Sequence, residues 1–236
     1  MASLATNNNM PFAQAVQTVQ IAQAMTPPDQ QMGLQQQNQQ QQQMMMQQQQ
    51  MMAQQLQQRL AMEERTMNFL KARQWPTNLI KTLCRDNKEI WKRYFIVDDS
   101  GSMNANDGTR LVGARAITCT RWAEQKEAIE FHGELAYQSL SACEFRFLNQ
   151  PQPICVGMME DNGESLNLLR GVLSGGPNGG TPLCRHIREI AAEVRKMAPI
   201  LQQSREKAIV VIFTDGQPSD GNVADALKLL ERKYKQ

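Results

Sequence analysis

Hydrophobic and polar positions change their rhythm twice along this chain. Up to about residue 52 they have no period: Gln, Asn and Met come in runs, with no stripe that a helix or strand could bury. Residues 53–76 read as a helical linker, with charges entering at Arg59, Glu63, Glu64, Arg65 and Lys71. Trp75-Pro76 closes it, because the residue before a proline is pushed away from helical backbone. Beyond Pro76 two periods interleave. Short apolar runs at Arg93–Val97, Cys143–Leu148, Ile154–Gly157 and Ala208–Phe213 predict strands, the third at a sheet edge because Pro151 and Pro153 precede it. Helical spacing predicts helices over Thr77–Cys84, Arg121–Ser139, Glu164–Leu173, Thr181 to about Gln203, and Asn222–Lys233. Thr120 is placed to cap the second of these. Strands alternating with helices predict an α/β domain over 77–236, a doubly wound and mostly parallel sheet with helices on both faces.

Composition sharpens the division between tail and domain. Gln supplies 17 of the 30 residues from Gln31 to Leu60, and the first 58 residues hold one formal charge, Asp29. Such a tract buries too little apolar area to offset the ordering of its backbone, which predicts disorder. Gln, Met, Leu and Ala are also good helix formers, and no Pro or Gly lies between Gly33 and Pro76, so a long self-associating helix stays open. The remaining residues carry 25 basic and 22 acidic groups, a net of +3 with the signs interspersed. That balance gives no footprint for nucleic acid. No apolar run is long enough to span a membrane, and the N-terminus lacks the basic start and apolar core of a secretory signal. Five widely spaced cysteines without a C-x-x-C pair suit reduced thiols, so the expected location is cytoplasmic, with the nucleus as the other choice.

In an open α/β sheet, ligands bind beyond the carboxyl ends of the strands. Three such loops carry oxygen side chains: Asp98-x-Ser100-x-Ser102, Gly179-Gly180-Thr181-Pro182 and Thr214-Asp215-Gly216. Two carboxylates and three hydroxyls, without His or Cys, make a hard-oxygen donor set suited to Mg²⁺, with Mn²⁺ as a substitute. Asn104, Asn106, Asp107 and Gly108 read as a solvated turn near the site, and Asp99 as pointing away from it.

Asp98-Asp99-Ser100-Gly101-Ser102, Gly180-Thr181-Pro182 and Thr214-Asp215-Gly216 together resemble the metal-ion-dependent adhesion site of the von Willebrand factor type A domain. All five family positions are filled in order. The resemblance implies that Ser100, Ser102 and Thr181 ligate the ion directly, that Asp98 and Asp215 act mainly through water, and that a partner protein's carboxylate takes the open position. It spans about Arg93 to Lys235, where family members normally continue with two more strand–helix units. The expectation is therefore a fragment of a longer protein, or a partner covering an exposed edge at Ala208–Phe213.

Rival chemistries fit less well. Gly175 to Pro182 puts Thr181 and Pro182 where a phosphate-binding loop needs Lys and a hydroxyl. A receiver domain needs an Asp after a later strand, where Asn149 stands, and a haloacid-dehalogenase-like phosphatase needs a second Asp where Ser100 stands. His132 and His186 fall mid-helix without a nucleophile beside them, and Trp75, Trp91 and Trp122 read as packing residues. The sequence reading is a non-enzymatic, Mg²⁺-dependent interaction module. A scaffold working through its Gln-rich helix is the alternative.

Overall fold

The computed structural model describes residues 28–158 and 162–231. The chain divides into two compact units, 1–59 and 60–236. Helix α1 (Pro28–Ala72) begins in the first. The Gln-rich tract is thus helical from Pro28 onward, while residues 1–27 of the tail lie outside the described residues. Met44, Met45, Met46, Met51, Met52 and Leu56 are all exposed there, so propensity rather than packing accounts for this part of the helix.

In the second unit the last turns of α1 pack firmly. Leu70 and Thr66 are buried, and Phe69 and Trp75 stack on Phe131 with ring centroids 6.0 and 5.6 Å apart. Residues 60–76, read above as linker, therefore belong to this unit. After α2 (Thr77–Asp86) come β1 (Ile90–Val97), β2 (Gly108–Val112), β3 (Arg115–Cys119), α3 (Arg121–Ser139), β4 (Cys143–Phe147) and β5 (Ile154–Val156). Then follow α4 (Glu164–Ser174), α5 (Leu183–Ser204), β6 (Lys207–Phe213) and α6 (Val223–Glu231).

Four strands form a mixed sheet in the order β5-β4-β1-β6. β1 runs parallel to β4 and β6, while β5 pairs antiparallel with β4 at the edge that the two prolines before it predict. β6 forms the other edge. The continuous apolar run of β1 has a direct cause, because both its faces are covered. Phe95 and Val97 join Phe145 and Phe147 under α3 and α4, packed by Trp122, Ile129, Leu166, Leu169 and Leu173. Tyr94 and Ile96 join Leu148 under α5 and α6, packed by Leu183, Ile187, Ile190 and Ala226. Gly133 permits the close approach of α3 and α4, since a Cβ there would stand 2.5 Å from Leu169 Cδ2. From the first strand, β1, the chain goes to β4 on one side and later to β6 on the other, so a crevice opens between the carboxyl ends of β1 and β6.

The structure adds a strand pair that the hydrophobic pattern does not predict. β2 and β3 form a separate antiparallel hairpin with Val112 opposite Arg115. Its strands are exposed along most of their length and bury no face, so they leave no alternating signature. The turn read at Asn104–Gly108 leads into this hairpin. α5 starts at Leu183 rather than Thr181, because the Thr181 carbonyl stays outside the helix and accepts from Leu183 and Ser219 N–H groups at 2.8 and 2.9 Å.

Candidate functional site

The site begins where β1 runs out. Asp98 is fully buried, and its own N–H donates to the Phe213 carbonyl at 3.0 Å, which fixes it beside the end of β6. Its carboxylate accepts from Ser100 N–H at 2.9 Å and from Thr214 Oγ1 at 2.7 Å, while its carbonyl accepts from Gln125 Nε2 at 2.8 Å. Among the described residues, only neutral groups donate to this buried acid.

A short 3₁₀ turn over Gly101–Asn104 then carries the serines round. Ser100 Oγ and Ser102 Oγ stand 3.0 Å apart, and Ser102 Oγ donates to Asp215 Oδ1 at 3.0 Å. Asp98, Ser100, Ser102 and Asp215 are thus one connected set. The Thr181 loop joins it through Gly101 N–H, which donates to the Gly179 carbonyl at 3.1 Å, and through Asn104 Nδ2, which donates to the Pro177 carbonyl at 3.2 Å. Gly179 has φ +96°, and a Cβ there would meet Asn149 Oδ1 at 2.5 Å, so both conformation and space require glycine.

Asp99 does point away from the serines, as its place in the sequence suggests, but it is not idle. Its carboxylate accepts from Asn149 N–H and Nδ2, both at 2.9 Å, and Asn149 Nδ2 also donates to the Gly180 carbonyl at 3.0 Å. Asp99 and Asn149 therefore hold the Thr181 loop in place. Burial pushes the Asp99 carboxyl above its ordinary pKa, against the pull of the Asn149 donors. Asp220 performs a similar task from the loop after β6. It accepts from Cys184 and Arg185 N–H at 2.9 and 2.7 Å, capping α5 across the chain. Burial opposes its charge, yet those two N–H groups outweigh it and hold the Asp220 carboxyl below the usual range.

Arg121 is the residue that sequence reasoning passes over. Its guanidinium contacts Asp215 Oδ2 and also grips Asp107, with Nε and Nη2 at 2.7 and 2.6 Å from the two carboxylate oxygens. Hydrogen bonding to Arg121 holds Asp107 below its ordinary pKa, and the two acids raise that of Arg121, Asp107 first. One signal was available: Arg121 opens α3, and a cation in the first turn faces the positive end of the helix dipole unless a nearby acid holds it. Neither histidine reaches the site. His132 packs against Phe95 at 4.9 Å between centroids, and His186 is buried with Nε2 3.2 Å from the Leu148 carbonyl. Burial lowers the pKa of both.

Among the described residues, no three His, Cys, Asp or Glu side chains gather to hold an ion. The donors offered here are hydroxyls backed by two carboxylates. Their spacing bears on fit, since neighbouring oxygens round an octahedral ion with bonds of about 2.0–2.1 Å stand about 2.9 Å apart. The Ser100–Ser102 and Ser102–Asp215 separations are each 3.0 Å. Comparison with protein-family models and with curated proteins finds no match for this chain. No helix among the described residues is long and apolar enough to cross a membrane.

Proposed function

We propose that this chain is a Mg²⁺-dependent protein-interaction module of the von Willebrand factor type A kind, binding a partner through an acidic side chain. The observation that carries this reading is the pair Ser100 Oγ and Ser102 Oγ at octahedral-edge spacing in the crevice between β1 and β6, with Asp215 Oδ1 bonded to Ser102 beside them. On this reading Ser100, Ser102 and Thr181 hold the ion, and Asp98 and Asp215 hold its waters and balance its charge; Mn²⁺ suits the same donors. Bound there, the ion supplies an electrophilic position for a carboxylate.

The chain's own residues do the rest. Thr214 and the Ser100 N–H keep the Asp98 carboxylate turned under the serine turn, and Asp99 with Asn149 keeps the Thr181 loop against it. Three neutral ligands leave more of the ion's charge for an incoming anion than carboxylate ligands would. The serine hydroxyls bond each other and Asp215, and no histidine stands beside them as a base, which favours binding over hydrolysis, phosphatase chemistry included.

Unfolding of the full chain tests the site. A ligand that binds only the folded state stabilises it by about 2.7 kcal/mol at a hundred times its dissociation constant. Mg²⁺ is expected to raise the unfolding midpoint relative to EDTA, and Asp215→Ala to abolish the rise. A cooperative transition indifferent to Mg²⁺ would sink the reading. The exposed methionines of α1 favour a second activity, self-association through that helix. Replacing Met44, Met45, Met46, Met51 and Met52 with Gln would then abolish any concentration dependence in sedimentation of the full chain.

A further inference from the structure

The β2–β3 hairpin takes no part in the main sheet, yet it starts at the rim of the candidate site. Asp107, just before β2, shares the Arg121 guanidinium with Asp215. Arg121 N–H also donates to the Ala105 carbonyl at 3.0 Å, and Thr109 N–H to Glu124 Oε2 at 3.1 Å. The base is tightly seated: a Cβ on Gly108 would stand 2.9 Å from both Glu124 Oε2 and the Thr120 carbonyl. One cation thus joins the base of the hairpin to the acid of the site.

Beyond that base the ribbon is bare. Leu111, Val112 and Ile117 are 72%, 52% and 37% exposed. A two-stranded hairpin with no covered face is marginal in water, and exposed aliphatic side chains grouped beside a polar site mark an interaction surface. Charge gives the occupant its chemistry. Residues 108–119 hold two arginines, Arg110 and Arg115, and no acid. By register, Val112, Arg115, Arg110 and Ile117 share one face, so aliphatic and cationic groups alternate there. Arg110 reaches Glu127 at 3.3 Å, an exposed pair that solvent screens and a partner's acid can replace.

We propose that the β2–β3 hairpin is the second half of the docking surface, and that it selects a partner segment in which aliphatic side chains stand beside acidic ones. The proposal rests on the metal-site reading, since it requires that segment to place one carboxylate at the ion while its neighbours meet Val112, Ile117 and Arg115 on their shared face.

Two short fluorescent peptides of equal negative charge test it on the full chain in Mg²⁺ and in EDTA. One alternates Glu with Leu and Val, and the other alternates Glu with Ser and Gly. Anisotropy is expected to show the aliphatic peptide binding at least about tenfold tighter in Mg²⁺, a preference worth about 1.4 kcal/mol. The double variant Val112→Ser, Ile117→Ser should erase that preference while leaving the Mg²⁺-dependent rise in unfolding midpoint intact. That retained rise also shows that the variant folds. Equal binding of both peptides, or a preference that survives in the variant, would overturn the hairpin's role. Loss of the midpoint rise in wild-type protein, with the aliphatic preference kept, would overturn the metal reading and leave the hairpin as a docking surface. A variant that changes the sedimentation of the protein alone would identify the hairpin as a contact between copies and overturn the proposed partner.

Discussion

The two ends of the sheet each hold buried acids, and they satisfy them in opposite ways. Toward the amino-terminal end of β1, Glu144 is almost wholly buried and meets both Lys92 and Arg146. Glu193 reaches the same two cations at 2.9 and 3.4 Å, and Glu189 adds a contact to Arg146 at 2.7 Å. Burial works against the Lys92 ammonium, but Glu144 and Glu193 outweigh it and hold its pKa above the ordinary lysine value. At the carboxyl end, buried Asp98 meets an N–H and a hydroxyl, and Asp215 meets Ser102 and one shared guanidinium. The first cluster is closed, because every cation in it already faces an acid. The second is open at Asp98, whose N–H and hydroxyl partners cancel little of its charge, while Asp215 shares its one guanidinium with Asp107. An acid cluster closed by ion pairs serves the fold, whereas one held by hydroxyls keeps its attraction for a cation from solution.

Neutralising one acid at each end gives the largest expected contrast. Glu144→Gln leaves the largely buried charges of Lys92 and Arg146 to be balanced by the more exposed Glu193 and Glu189, and is expected to cost about 3 kcal/mol of stability. Asp98→Asn keeps the shape and removes a buried carboxylate that has no cationic partner among the described residues, so its effect on stability should stay within about 1 kcal/mol. Urea unfolding in EDTA measures both. If Asp98→Asn proved the more damaging of the two, Asp98 would be a structural acid and the contrast would fail.

The first cluster was hidden in the sequence, and the reason is physical. Lys92, Glu144 and Arg146 sit on strands, and Glu189 and Glu193 on a helix some forty residues later, so only the parallel pairing of β1 with β4 and the docking of α5 bring them together. The core strands were legible because β1 and β4 are packed on both faces and β6 is half-buried between the two clusters, so all three read as apolar runs. The hairpin was illegible for the converse reason, having no buried face to impose alternation on Leu111, Val112 or Ile117. At the site, Asp98, Ser100, Ser102 and Asp215 could be picked out because each lies at a strand end in a short oxygen-rich loop. Asp99, Asn149 and Asp220 act on backbone N–H and C=O groups of distant loops, a role that no spacing in the sequence records.

The open cluster is not wholly open, and Arg121 sharpens the comparison from the other side. Its guanidinium lies on Asp215 Oδ2, so an arriving divalent ion meets a resident positive charge. A unit charge about 6 Å from a divalent ion, even at the dielectric constant of water, opposes binding about tenfold. Arg121→Gln is expected to tighten Mg²⁺ binding by about that factor. Calorimetric titration of the metal alone reads it. Weaker binding in the variant would mean that Arg121 orients Asp215 for the ion, and that the cluster depends on its cation as the other one does.

The smallest effect belongs to Glu193, and it appears in pH dependence. Burial raises the pKa of this carboxyl, but Lys92 first, then Tyr94 and Arg146, outweigh it and hold it below the ordinary glutamate value. A depressed acid binds its proton more weakly in the folded state than in the unfolded one. Its contribution is therefore present above the unfolded value of about 4.3 and lost as pH falls through the lower folded value. A third of the side chain is exposed, so screening limits that contribution to about 1 kcal/mol or less. Glu193→Gln should accordingly lower the unfolding midpoint at neutral pH, and the gap from wild type should close in acid below the ordinary glutamate range. A gap that persists unchanged through that range would assign the loss to packing of the side chain against Lys92 and Arg146. The ion pairs of Glu193 would then be incidental to stability, and the contrast with the site would rest on Glu144 alone.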